Sequence, residues 1–179
     1  VESDVAKGKP ISYRPSSRVQ ESFQTERDLR KEKKELWETP EQEITSAETS
    51  INKQKVAGGF TTLTKENAFK EGHVNLDIGG GSFDNANTLL NRSKAKNLVY
   101  DPFNRSSEHN RKVVDQVSGG KSDSVTLFNV LNVIKEKANI NKVLKQAENA
   151  VKEDGAVYIS VYDKSGKGAG KGEATGKGW

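Results

Sequence analysis

The stretch Asn75-Leu76-Asp77-Ile78-Gly79-Gly80-Gly81 decides the fold of this 179-residue chain. Val74 to Ile78 is a short apolar run that predicts a strand, and three glycines end it. Asp84 to Arg92 then suits a helix, with Leu89 and Leu90 buried. A strand, a glycine turn and a helix in that order let a backbone approach a ligand closely. The helix start also offers N–H groups with no partner in the helix. The spacing is not G-x-G-x-x-G, so the dinucleotide fingerprint is not met.

The same alternation continues downstream. Asn97 to Tyr100 reads as a second strand, ended by Asp101 and Pro102. Ser106 to Val117 suits a helix with Val113, Val114 and Val117 inward, and Gly119–Gly120 breaks it. Ser124 to Phe128 reads as a third strand, and Val130 to Val151 as mainly helical. Asp154–Gly155 turns the chain into a fourth strand, Ala156 to Tyr162. Strands alternating with helices predict a three-layer α/β domain over residues 71–163, with a mostly parallel sheet and right-handed crossovers. Asp101 stands at the end of the strand after Asp77, where an acidic side chain can accept two hydrogen bonds from ribose hydroxyls.

The flanks differ in composition. Residues 1–70 read as a charged arm, extended at first and then helical over Glu21 to Glu38. Pro40 stops that helix, and Thr39 can cap a second short one, with Gln42 completing a capping box. Lys55 to Leu63, with Gly58, Gly59 and β-branched residues, reads as a loop or strand approaching the core. Residues 164–179 are rich in glycine and lysine and read as a flexible tail. Most of the net charge of +4 sits in that tail, so it forms no basic stripe on a folded face. A nucleic-acid site is therefore poorly supported.

Composition excludes several chemistries. The absence of cysteine removes disulfides, thiolate metal sites and a cysteine nucleophile. Two histidines without cysteine argue against a structural zinc site, and no metal is expected. No window approaches eighteen apolar residues and the N-terminus lacks a signal-peptide core, so no membrane partner is expected. The expected location is cytoplasmic.

Three blocks in order carry a resemblance. Asp77-Ile78-Gly79-Gly80-Gly81, Val99-Tyr100-Asp101-Pro102-Phe103 and Phe128-Asn129-Val130-Leu131-Asn132-Val133-Ile134 resemble the class I S-adenosylmethionine-dependent methyltransferases. Within them, the chain looks most like a bacterial and phage-borne group, which implies a bacterial or phage-infected cell, or a virion, as its setting. The resemblance covers about residues 74–163 and implies a reduced Rossmann-like core that binds S-adenosylmethionine. It implies that Gly79, Gly80 and Gly81 pass under the methionine part of the cofactor. Asp77 would orient that loop or meet the amino group, Asp101 would hold the ribose, and Phe103 would pack on the adenine. Asn129 and Asn132 would line the transfer site. Only one helix fits between Phe103 and Ser124, so the family's usual third strand has no room. The chain also stops soon after the fourth strand, which would leave sheet edges for partner chains to cover.

Two functions follow as expectations. The first is methyl transfer to an unidentified acceptor. The second is a non-catalytic structural or interaction protein with a degenerate methyltransferase fold, such as a phage particle component. A nicotinamide-dependent oxidoreductase fits less well, because the glycine spacing is wrong. Without cysteine, cytosine C5 methylation is excluded, and Asn129-Val130-Leu131-Asn132 lacks the prolines of exocyclic-amine methylases. Segments with the composition of residues 1–70 seldom order alone, so a protein partner or second copy is expected to hold them. His109, alone among polar neighbours, reads more readily as structural than as a general base.

Overall fold

The computed structural model describes residues 17–45 and 55–161. The chain divides into two compact units, residues 1–35 and 36–179. The described part of the first is helix α1 (Ser17–Trp37), whose last two residues belong to the second unit. Its residues 21–32 are exposed, including Phe23 and Leu29. The helix carries i,i+4 pairs, Arg30 with Glu26 and Lys31 with Glu35, each at 3.7 Å. Such pairs support a helix that buries little.

The second unit is built on four parallel strands: β1 (Val74–Ile78), β2 (Lys96–Tyr100), β3 (Ser122–Phe128) and β4 (Val151–Ser160). Their order is β2-β1-β3-β4. Helix α2 (Gly58–Lys65) precedes β1, and α3 (Asn85–Asn91) links β1 to β2. Helix α4 (Ser107–Val117) links β2 to β3, and α5 (Lys137–Ala150) links β3 to β4. A 3₁₀ turn, Leu131–Val133, precedes α5. This is the α/β Rossmann-like core expected from the alternation.

The sheet alternates with period two, so its faces bury different residues. Leu76, Ile78, Leu98, Tyr100, Val125 and Leu127 form one core with α4, α5 and Trp37. The opposite face meets Phe60 and Leu63 of α2, Phe69, and Ala86 and Leu90 of α3. Helices on both faces are what right-handed crossovers produce when the strand order reverses. Here the reversal falls between β1 and β3.

Several sequence expectations need correction. The folded unit begins well before residue 71, because Trp37, Phe60, Leu63 and Phe69 are all buried. Lys55 to Leu63 holds no strand: Gly58–Lys65 is a helix. Phe60 and Leu63, three residues apart, share its buried face. Gly59 is there for packing, since a Cβ would lie 2.7 Å from the Phe128 ring. Among the described residues 39–45, the second short helix expected to start at Pro40 is not present. Its backbone is spent on α5 instead: Glu43 N–H donates to Glu136 Oε1 at 3.0 Å, and the Glu41 carbonyl accepts from Asn139 Nδ2 at 2.8 Å. The helical segment expected from Val130 begins as a helix only at Lys137. Strand β4 starts at Val151, directly after α5, and a register break takes up Asp154–Gly155. Tyr162, the 164–179 tail and the extended start of the arm (1–16) lie outside the described residues.

Among the described residues, β4 is a sheet edge; Val157 and Ile159 on it are 40% and 48% exposed, and Val161 just after it is 53% exposed. Among these residues no helix is long and apolar enough to cross a membrane.

Within the second unit, Trp37 packs on the sheet. It is buried and meets Tyr100 edge-to-face at 5.0 Å, and the Tyr100 hydroxyl donates to its carbonyl at 3.0 Å. Replacing Trp37 by Ala should cost about 3–5 kcal/mol of stability in urea unfolding, as large aromatic truncations do. Leu29→Ala, on the exposed face, should stay within about 0.5 kcal/mol of wild type. Equal effects would show that Trp37 is not a core residue.

Candidate functional site

Three loops meet at the carboxyl ends of β1, β2 and β3, where the sheet reverses its order. This crevice is the usual ligand position in open α/β sheets. The β1 loop carries Gly79–Gly81. Gly79 and Gly81 both have φ of +77°, a left-handed conformation that other residues adopt at a cost. A Cβ on Gly79 would also lie 2.6 Å from Val130 Cγ2, and one on Gly80 would fall on Asp77 Oδ2. Gly81 differs: a Cβ there would meet nothing within 4 Å. The loop is thus packed underneath and open at Gly81.

Asp101 ties the β1 and β2 loops together. It is 0% exposed. Its Oδ1 accepts from the Phe103 and Asn104 backbone N–H groups at 3.0 and 3.1 Å. Its Oδ2 accepts from Gly81 N–H at 3.0 Å and from Asn104 Nδ2 at 3.1 Å. The carboxylate expected to meet a ribose is therefore turned inward, onto its own loops.

Two further residues complete this brace. Asn110 Nδ2 donates to the Asp101 carbonyl at 2.9 Å, while Asn110 Oδ1 accepts from Asp101 N–H at 3.1 Å. Arg105 Nε donates to the Gly81 carbonyl at 2.7 Å, and its Nη2 bonds Asp84 Oδ1 at 2.8 Å. Ser106 caps α4 by accepting from His109 N–H. The His109 ring nitrogen Nε2 bonds the Val99 carbonyl at 2.8 Å, a structural position.

Asp77 lies beneath the glycine loop, 4% exposed. Its Oδ1 accepts from Thr126 Oγ1 at 3.1 Å. Burial pushes its carboxyl up to about 7; the Thr126 bond opposes that shift, nearby Asp101 adds to it, and Arg105 opposes it.

The remaining expected residues occupy the β2 and β3 loops. Phe103 is half-buried beside Asp101. Asn129 is exposed at φ +60°, a conformation asparagine tolerates better than most residues, and its N–H donates to the Ser160 carbonyl at 2.8 Å. Asn132 sits in the 3₁₀ turn with a buried Oδ1 that has no partner. Buried polar atoms rarely stay unpaired without a reason.

The structure thus gathers Asp77, Gly79, Gly80, Gly81 and Asp101 at one point and places Asn129 and Asn132 on the loop after β3. Sequence reasoning missed Asn110, Thr126 and the bracing role of Arg105. Asn110 and Thr126 carry no motif; only their places on an inward helix face and an inward strand position mark them. Phe83, 42% exposed just after the glycines, was also missed, although an aromatic there is a visible signal.

A family model described as a methyltransferase domain matches residues 24–176. No curated protein matches the chain.

The buried Asp77 has a consequence for stability. Its folded-state value lies above the ordinary 3.8, so between these values the folded state holds more protons than the unfolded one. Stability contributed by this group therefore falls as pH rises. The loss between pH 5 and pH 8 is roughly 3 kcal/mol at 1.36 kcal/mol per unit. Asp77→Asn should flatten that slope in urea unfolding and stabilise the chain at pH 8. An unchanged slope would show that Asp77 ionises normally.

Proposed function

Because the chain belongs to the methyltransferase-domain family, we propose that it binds S-adenosylmethionine at the β1–β2–β3 crevice and transfers its methyl group to an acceptor. The single observation that carries this reading is the glycine loop at the strand reversal, packed below and open at Gly81.

The residues present fit that group. The open side of Gly81 leaves room for a ligand to pass where any side chain would intrude. The unpartnered Asn132 Oδ1 supplies an acceptor on the loop after β3. Asp77 supplies a carboxylate below the loop, and an ionised carboxylate there favours an ammonium group.

When bound, the cofactor supplies an electrophilic methyl group, and the protein's task is mainly proximity and orientation. Gly79, Gly80 and Gly81 form the floor under the amino-acid end. Asp101 holds the shape of both loops that would hold the ribose end. The half-buried Phe103 ring offers a surface for the adenine. Asn129 and Asn132 border the position from which the acceptor approaches.

We propose that a second copy of the chain docks on residues 1–70, where Phe23 and Leu29 are the large exposed apolar side chains of α1. The full chain alone should then show a mass above that of a monomer in light scattering, and Phe23→Ser with Leu29→Ser should abolish it. A monomeric wild-type chain removes this docking role.

Calorimetric titration tests the cofactor reading. The full chain should bind S-adenosylhomocysteine in the micromolar range. Gly81→Val fills the open side and strains a φ of +77°, and should weaken binding at least about tenfold while circular dichroism is kept. A folded wild-type chain with no binding overturns the enzyme reading and leaves a non-catalytic interaction domain.

A further inference from the structure

The face of the sheet below the glycine loop carries a row of buried polar side chains across three strands. Asn75, Asp77, Asn97, Ser124 and Thr126 are each 7% exposed or less. Asn75 Nδ2 donates to Asn97 Oδ1 at 2.7 Å and to Thr126 Oγ1 at 3.0 Å. Its own Oδ1 accepts from Ser124 Oγ at 2.7 Å. Asn97 Nδ2 in turn donates to Asn87 Oδ1 of α3 at 2.9 Å.

These bonds fix a direction. Both amide hydrogens of Asn75 are used and its oxygen is held, so the amide cannot flip without losing bonds. Because Asn75 donates into Thr126 Oγ1, the hydroxyl hydrogen points elsewhere. Its better acceptor is Asp77 Oδ1 at 3.1 Å; the Leu76 carbonyl is at 3.5 Å. The chain of donors therefore ends on one oxygen of Asp77. The other, Oδ2, lies against Gly80, where a Cβ would fall on it.

A parallel sheet needs none of this. Central strands covered on both faces are commonly continuous apolar runs, and buried polar groups are costly unless fully paired. On the opposite face this sheet follows that rule, with Leu76, Val125 and Leu127.

We propose that Thr126, held in place by Asn75, is a positioning residue that favours the ionised form of Asp77 and keeps its Oδ2 turned toward the glycine loop. This deepens the cofactor reading and rests on it for the identity of the ligand. The charged groups acting on Asp77 are Asp101, after β2, and Arg105, before α4; β3 contributes the uncharged Thr126. Burial, the largest influence, opposes ionisation and Asp101 adds to it; of the two groups that favour ionisation, the Thr126 hydroxyl outweighs Arg105.

The test uses the full chain with Thr126→Val, which keeps shape and removes the donor, and Thr126→Ser, which keeps the donor. The first readout is the titration of the Asp77 carboxyl by carbon NMR in the ligand-free protein. Thr126→Val should raise the midpoint by about one unit, and Thr126→Ser should leave it within about 0.3 unit of wild type. The second readout is calorimetry with S-adenosylhomocysteine from pH 6 to pH 9. Thr126→Val should bind about three- to tenfold more weakly at pH 7 and recover to within about twofold at pH 9. An unmoved midpoint, or a binding loss equal at every pH, overturns the proposal. If Thr126→Val does not fold, Thr126→Cys, a weaker donor, should show the smaller shift in the same direction, and no shift overturns the proposal. A moved midpoint in a chain that binds no S-adenosylhomocysteine supports the positioning role and overturns the cofactor reading instead.

Discussion

The Asp101 carboxylate is the constraint on which the rest of the site depends. A fully buried charge is tolerated only where donors surround it. Here the donors are the backbone of its own loop and Gly81 of the neighbouring one. The same bonds that solvate the charge therefore join two loops. Asn110 fixes the backbone of Asp101 from α4, and Arg105 pulls the Gly81 carbonyl toward α4 from the other side. The left-handed conformation of Gly81 is thus held by its N–H and its carbonyl at once. Without that carboxylate, Gly81 would keep only the Arg105 bond to its carbonyl and lose the bond that ties its N–H to the neighbouring loop.

The two faces of the sheet divide the work of folding and of function. The face against α4 and α5 is apolar and supplies cohesion. The face against α2 and α3 mixes a small aromatic cluster with the polar row that ends at Asp77. Phe60, Phe69 and Phe128 concentrate the apolar contacts of that side beside β3, with Phe60 edge-to-face on Phe128 at 4.8 Å. Hydrogen-bonded side chains can then fill the strand centres without leaving the layer uncovered.

Much of this order was legible in the sequence, for a physical reason. Elements β1, α4 and α5 announce themselves by apolar spacing and by the glycines or caps that end them. The glycine triplet and Asp101 were legible because their positions at strand ends leave few roles open. What stayed hidden depends on contacts distant along the chain. Gly58–Gly59 looks like loop punctuation until Phe128 stands above it. Trp37 looks like an aromatic on a polar arm until Tyr100 lies beside it. The segment after Pro40 has a helix start signal, but bonds to Glu136 and Asn139, more than ninety residues away, compete successfully for its backbone. Asn75 and Thr126 give no periodic signal, because their value lies in pairing with one another across strands.

The exposed row on β4 bears on how the chain behaves in concentrated solution. Val157, Ile159 and Val161 give the sheet edge a short-range stickiness, and the run from Gly155 to Val161 contains no charge to interrupt it. Repulsion between molecules must come from a net charge of +4, most of it carried in residues 164–179, directly after that edge in sequence. Such repulsion reaches about 10 Å at 0.1 M salt and about 3 Å at 1 M. Colloidal stability of this chain is therefore tied to ionic strength, and salting it heavily brings edges together before it touches the core.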